Sequence, residues 1–288
     1  MNEHISGISE IEKAYSESIA FTKSHYENFP VISFLIKREL RKDVAVVYQF
    51  ARTADDIADE GNLSESERIA ELNDFESKLN KALKGEYCGP FWMALHHTIQ
   101  NRNLDASNFY NLLKAFKQDV VKKRYASSEE LLEYCRNSAN PVGRIILELH
   151  GIRHKEALDY SDNICTALQL ANFYQDISLD YEKGRIYIPK NELDKFGVSE
   201  EHFKQKNADE KFKSMLKSQT EAARNMFLRG RNLLQFLPYK LRMEISWTIF
   251  GGEAILDEIK KIDYDTLNFR PKLSKTDFII LLVKSLAV

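Results

Sequence analysis

The chain is short of the residues that make turns. It holds 11 glycines and 6 prolines in 288 residues, about half the ordinary share. Sandwiches, barrels and doubly wound sheets need many tight turns, so the shortage argues against all three and for long helices. Cysteine is scarce as well. Cys88, Cys135 and Cys165 are odd in number and scattered, which fits a reducing cytoplasm and neither a disulfide framework nor a zinc site. No apolar run reaches the roughly 18 residues that cross a bilayer, and a charged share of 29 % excludes a membrane-embedded body. Residues 1–30 carry Glu3, Glu10, Glu12 and Glu17 with no apolar stretch, so they do not read as a secretory signal. A net charge of −2 with no basic block excludes a dedicated nucleic-acid surface. Missing too are the glycine-rich phosphate loop of nucleotidases, the dinucleotide fingerprint Gly-x-Gly-x-x-Gly and the Asp-x-Asp-x-Asp-Gly calcium loop.

What is present is apolar material for a large core, 43 % of the chain, laid out with helical period. It predicts helices near 8–27, 39–60, 64–83, 89–102, 105–122, 128–138, 141–152, 155–182, 208–236, 240–262 and 274–286, in one all-α domain spanning 1–288. Ser64 and Glu67 form a capping box before an apolar run. Pro141 suits the first turn of a helix, and Gly151 and Gly184 stand where C-terminal caps are expected.

Two polar stripes carry chemistry. In Tyr48-Gln-Phe-Ala-Arg52-Thr-Ala-Asp55-Asp56-Ile-Ala-Asp59, a helix places Tyr48, Arg52, Asp55 and Asp59 within an arc of about 60°. Asp55 and Asp59 are one turn apart, so their carboxylates can converge on a hard cation. Val46, Val47, Phe50, Ala54 and Ile57 form the apolar sector beside them, which by itself also fits a solvated acidic helix end. In the second stretch Gln169, Asn172, Asp176 and Asp180 share an arc of about 80°. Leu168 and Leu179 flank it on one side and Leu170, Phe173 and Ile177 on the other. Carboxylates bordered by apolar residues need a charge partner or a metal, because desolvating them alone is costly. Two such stripes suggest facing helices that share cations. With oxygen ligands only, Mg²⁺ is expected, or Mn²⁺. Arg52 and Arg185 are available to complete an anion site.

These motifs resemble the squalene/phytoene synthase family. Tyr48-x-x-x-Arg52-x-x-Asp55-Asp56-x-x-Asp59 is similar to its first aspartate-rich motif. Gln169-x-x-Asn172-x-x-x-Asp176-x-x-x-Asp180 followed by Gly184-Arg185-Ile-Tyr187-Ile-Pro189 is similar to its second, and Tyr134-Cys-Arg-Asn-Ser-Ala-Asn-Pro141-Val-Gly143 to its central helix pair. The resemblance implies an isoprenoid-synthase helical bundle around a central apolar cavity. It implies Asp55, Asp59, Asp176 and Asp180 as Mg²⁺ ligands, Tyr48, Arg52 and Arg185 on diphosphate, and Tyr134 on the wall facing a carbocation. Gln169 and Asn172 join the site by their place on the stripe. Phe29, Phe50 and Phe173 are the aromatic faces offered to the cation, and Asn172 and Tyr174 are candidates to position a capturing water.

Three departures carry further meaning. Most members have arginine where Gln175 stands. The usual N-terminal His-Ser-x-Ser-Phe becomes His25-Tyr26-Glu27-Asn28-Phe29-Pro30, and a tyrosine of carotenoid-type relatives is replaced within Gly251-Gly252. Each change removes a basic or hydroxyl group, which argues against binding two allylic diphosphates at once. In this the chain resembles the bacterial hydroxysqualene synthase branch. The implied reaction is Mg²⁺-dependent ionisation of presqualene diphosphate, with water capture to hydroxysqualene and no NAD(P)H. The implied pathway neighbours are a presqualene diphosphate synthase and a flavin reductase. The alternatives are a head-to-head prenyltransferase condensing two farnesyl diphosphates and a non-catalytic scaffold protein. Gly251-Gly252 is expected to make room for a C30 substrate. His96-His97 and His150/His154 point to different faces and read as surface residues rather than metal ligands. The apolar segment from Phe278 to Val288 is expected to pack as a final helix on the core or to contact a membrane peripherally, so the expected location is the cytoplasm, with or without membrane contact.

Overall fold

The structure is a computed structural model that describes residues 2–25 and 36–288, with side chains from residue 10 onward. Among the described residues it has fourteen α-helices and no β-strand, in two compact units. The first unit takes Met1–Val121 and Arg144–Arg153, and the second Lys122–Gly143 and His154–Val288.

The first unit contains α1 (Asn2–Ser24), α2 (Arg41–Asp59), α3 (Glu65–Leu83), α4 (Pro90–Arg102) and α5 (Ser107–Val121). Val46, Phe50 and Ala54 of α2 are completely buried, as its apolar sector predicts. Phe50 meets Phe109 edge-on at 5.1 Å and Phe75 at 5.2 Å, a geometry that aromatic pairs favour. The first turn of α2 holds buried Asp43, to which Arg102 donates at 2.7 Å and Thr98 at 3.4 Å, so its charge is paired. The Ser64–Glu67 capping box starts α3 as expected.

The second unit follows with α6 (Ser128–Ser138), α7 (Asn140–Leu149, which ends in the first unit), α8 (Lys155–Gln175), α9 (Ile177–Glu182), α10 (Lys190–Phe196), α11 (Glu200–Lys204), α12 (Glu210–Gly230), α13 (Tyr239–Lys261) and α14 (Lys275–Ser285). Glycines let α8 be approached unusually closely. A Cβ on Gly143 would lie 2.5 Å from Cys165 Sγ, one on Gly230 2.5 Å from Ile164 Cγ1, and one on Gly252 2.4 Å from Phe227 Cζ and 2.8 Å from Leu168 Cδ2. Gly252 is therefore a packing contact between helices and makes no room for a substrate, a correction to the cavity expectation.

The expected helix 155–182 is broken. Asp176 ends α8 with φ −104° and ψ 16°, and α9 begins after it. The i to i+4 bonds continue across the break: Asp176 N donates to Asn172 O at 3.0 Å and Asp180 N to Asp176 O at 2.9 Å. The stripe thus keeps its register. The expected helix 208–236 stops at Gly230 and gives way to a 3-10 turn over Arg231–Phe236. The short α10 and α11 lie where no helix is expected, because five to seven residues hold too little periodicity to read. Past α9, residues 186–191 run beside residues 123–126: Ile186 N donates to Lys123 O at 3.0 Å and Lys190 N to Tyr125 O at 2.9 Å.

Candidate active site

The first unit supplies Asp55 and Asp59 from the last turns of α2. Carboxylates are disfavoured at a helix C-terminus, where the dipole is negative. Arg52 offsets the charge from within, with Nε 2.7 Å from Asp56 Oδ1, Nη2 2.5 Å from Glu60 Oε1 and Nη1 3.6 Å from Asp55 Oδ2. From α3, Arg68 donates to the terminal carbonyls of Ile57 and Glu60 at 2.8 Å and of Gly61 at 3.0 Å, which fixes the end of α2. The Tyr48 hydroxyl donates to His25 O at 2.8 Å. Phe50, offered from sequence as a cation-facing ring, is fully buried in the core of this unit. Phe29 lies outside the described residues.

The second unit supplies Asp176 and Asp180. Asp176 stands at the C-terminal end of α8 and accepts two bonds from Arg270, at 2.6 and 3.1 Å, the bidentate fork that makes such pairs strong. The guanidinium of Arg270 is held charged above its ordinary range chiefly by the Asp176 bond, which with the charges of Asp176 and Asp180 outweighs the opposing effect of burial. Arg270 is absent from the residues picked out in sequence. Gln175 donates through Nε2 to Pro271 O at 2.7 Å and so anchors the residue beside Arg270. Arg185 donates its backbone N–H to Asp180 O at 2.7 Å. The turn before it needs Gly184, whose φ is +75°.

Asp180 and Arg185 share a narrow cleft of ≈ 10 Å³ with Phe173, Ile177, Ile186, Tyr187, Ile188 and Phe203. Phe173 and Tyr187 stack face to face, 3.7 Å apart and tilted by 8°. Tyr134 lies 6.2 Å from each, and Tyr125 5.6 Å from Tyr134. Tyr134 and Phe173 come together as the sequence implies. Tyr187 stands in the second motif without a role read for it, and Tyr125 has none either; what joins them is the pairing of 123–126 with 186–191, which sequence periodicity does not carry. The flanks of the stripe are unequal. Leu170, Phe173 and Ile177 are buried on one side; on the other Leu168 is half-buried and Leu179 is 41 % exposed, so the two-sided apolar border expected from sequence opens at Leu179, and Asn172 on the stripe itself is exposed. Gln169 is half-buried. Tyr174, a candidate for water capture, is buried away from the stripe: its hydroxyl donates to Gln219 at 3.3 Å, whose amide donates to Glu192 at 2.9 Å. Burial pushes its phenol above the ordinary range.

Among the described residues no three His, Cys, Asp or Glu gather into a ready metal cage. The aspartates come as two pairs, Asp55 and Asp59 in the last turns of α2 and Asp176 at the end of α8 with Asp180 one turn on in α9, and Arg52 reaches Asp55 as Arg270 reaches Asp176. All-oxygen donors with a charge deficit fit a hard divalent cation and not a soft one. His96 instead bonds Ala82 O at 2.7 Å and His150 bonds Ile146 O at 2.9 Å.

The family model for squalene/phytoene synthases matches residues 22–277. The chain belongs to that family. Hydroxysqualene synthase of Sinorhizobium fredii is 32 % identical over 88 % of this chain and 86 % of its own length. That of Zymomonas mobilis is 39 % identical over 65 % of this chain, and this match spans 63 % of the relative. Squalene synthase HpnC from Alicyclobacillus acidocaldarius superposes with a TM-score of 0.85 at 36 % identity, covering 89 % of this chain and 96 % of that one. A ligand-bound dehydrosqualene synthase shares the fold, with a TM-score of 0.86 at 24 % identity over 97 % of both chains. The protein is thus an enzyme of the squalene/phytoene synthase family with its all-α isoprenoid-synthase fold.

Proposed function

We propose that the enzyme converts presqualene diphosphate and water to hydroxysqualene and diphosphate. One observation carries the reading: the cleft that holds Asp180 and Arg185 also holds the stacked Phe173 and Tyr187. The cleft itself has room for about one water, so what supports the reading is adjacency: an anion held at Asp180 and Arg185 would lie beside an aromatic wall. Asp55, Asp59, Asp176 and Asp180 are the residues that would hold Mg²⁺, which when bound supplies Lewis-acid stabilisation of the departing diphosphate. Arg52 and Arg185 bind phosphate oxygens, and their preorganised charge favours ionisation over the bound ester. The C–O bond breaks with its electron pair leaving on diphosphate. The aromatic group of Tyr134, Phe173 and Tyr187 offers its outer faces to the rearranging cation, the facing sides of Phe173 and Tyr187 being closed against each other at 3.7 Å. Water then forms the new C–O bond and loses a proton. No electrons are gained or lost, so the step needs no nicotinamide. The similarity to the hydroxysqualene synthase of Sinorhizobium fredii over 86 % of its length supports this reading.

The test is a pair of incubations with Mg²⁺ and without NADPH, one with presqualene diphosphate and one with farnesyl diphosphate. Hydroxysqualene is expected from the first only. Efficient consumption of farnesyl diphosphate would overturn the reading in favour of a head-to-head prenyltransferase.

A further inference from the structure

Helix α14 is apolar on the side that faces water. Its inner arc packs on α13: Leu281 and Ser285 are buried, and Trp247 donates to Phe278 O at 3.2 Å. On its outer arc Ile279 is 63 % exposed, Val283 59 %, Leu286 50 % and Ile280 48 %. At 100° per residue these four span about 120°. Exposed Lys275 and Lys284 stand at the two edges of that arc. The one acid of the helix, Asp277, lies outside the arc beyond Lys284, half-buried, and accepts from the backbone N–H and hydroxyl of Ser274 in the capping box.

We propose that α14 docks on an anionic lipid surface. The helix would lie in the plane of the bilayer, with Ile279, Ile280, Val283 and Leu286 at the boundary of headgroups and acyl chains. A contiguous apolar stripe rimmed by polar residues marks an interaction surface. Lysines at both edges can lay their stems along the stripe and their ammonium groups on lipid phosphates. A second copy of this chain fits worse. The outer arc of α14 offers two lysines and no carboxylate, so a homotypic contact would bring like charges together with no partner. At eleven residues the helix is about 16 Å long, and no helix among the described residues is long and apolar enough to cross a membrane. Surface docking is what its dimensions allow. The inference stands on α14 alone and is independent of the proposed reaction.

The whole chain should float with vesicles containing about a third phosphatidylglycerol and bind neutral phosphatidylcholine vesicles several-fold more weakly, with binding that falls as salt rises. The pair Ile279→Ser and Val283→Ser should lower binding about tenfold or more while leaving far-UV circular dichroism and turnover of detergent-dispersed substrate unchanged. The pair Lys275→Glu and Lys284→Glu should abolish the preference for anionic vesicles. The proposal is overturned if the wild-type chain binds neither vesicle, or if the serine pair binds like wild type. It is equally overturned if light scattering shows a dimer that the serine pair dissolves, which would make a second copy the occupant.

Discussion

Substituting Gly230→Ala tests whether helix α8 is held by close backbone approach. The added methyl would lie 2.5 Å from Ile164 Cγ1 and 3.2 Å from both Ile164 N and Tyr160 O. Carbon atoms prefer about 3.5–4.0 Å, so the first contact is at least an ångström too short. The other two are with helix backbone, which cannot swing aside. Overpacking of this kind costs about 1–3 kcal/mol. Against it stands the gain in helix propensity, up to about 1 kcal/mol in a helix interior and less at Gly230, the last residue of α12. The net expectation is destabilisation of about 1–2 kcal/mol, a fall in Tm of about 2–4 °C for each kcal/mol in a chain of this size. Urea unfolding in the background of Ile164→Ala isolates the cause. That change removes Cγ1, costs about 2–5 kcal/mol alone as a cavity, and leaves space that the alanine methyl can use. The penalty for Gly230→Ala should then shrink by about 1 kcal/mol or more. If Gly230→Ala is neutral or stabilising, or costs the same in both backgrounds, close approach is not why glycine stands there.

Three further outcomes are expected. Asp55→Ala and Asp176→Ala should each lower turnover of presqualene diphosphate about 100-fold or more, and activity within a few-fold of wild type would refute the metal assignment. Arg270→Met should lower kcat/KM, and Arg270→Lys should restore part of it, because lysine keeps the charge while losing the two-pronged bond to Asp176; identical activity of all three would remove Arg270 from the site. Burial, together with the charges of Lys37 and Arg102, depresses the His150 ring below its ordinary value of 6.5, outweighing the bond to Ile146 O. The folded chain then binds fewer protons than the unfolded one just below that value, so its contribution is full above about pH 6.5 and is lost as pH falls. Urea midpoints should decline from pH 7 toward about pH 5, and His150→Gln should flatten the decline.

Residues one helical turn apart were legible because a single period governs them. Tyr48, Arg52, Asp55 and Asp59 needed only the 3.6-residue repeat, and the buried Val46, Phe50 and Ala54 confirm the face they sit beside. The same repeat hid the break at Asp176: hydrogen bonding from Asn172 through Asp176 to Asp180 stays in register, so no residue is out of phase to betray it. Gly252 misled for a different reason. A glycine pair within a helix reads equally as space for a ligand or as contact with a neighbour, and only Phe227 and Leu168 close to its Cα decide between them.

Arg270 shows where local reading gives out and alters what the departure at Gln175 means. Judged from sequence, glutamine in place of arginine takes a positive charge from the second aspartate motif. The structure returns one from 94 residues away: Arg270 grips Asp176 with two bonds. Gln175 takes part in this, since its amide secures Pro271 O, the neighbour of that arginine. Proline fixes its own φ and restricts the residue before it, so anchoring Pro271 also limits where the Arg270 backbone can go. The charge beside Asp176 is therefore kept and relocated. A count of basic residues along the motif does not measure the electrostatics of the site, and the case against binding a second allylic diphosphate cannot rest on Gln175. It rests instead on which substrate the enzyme consumes.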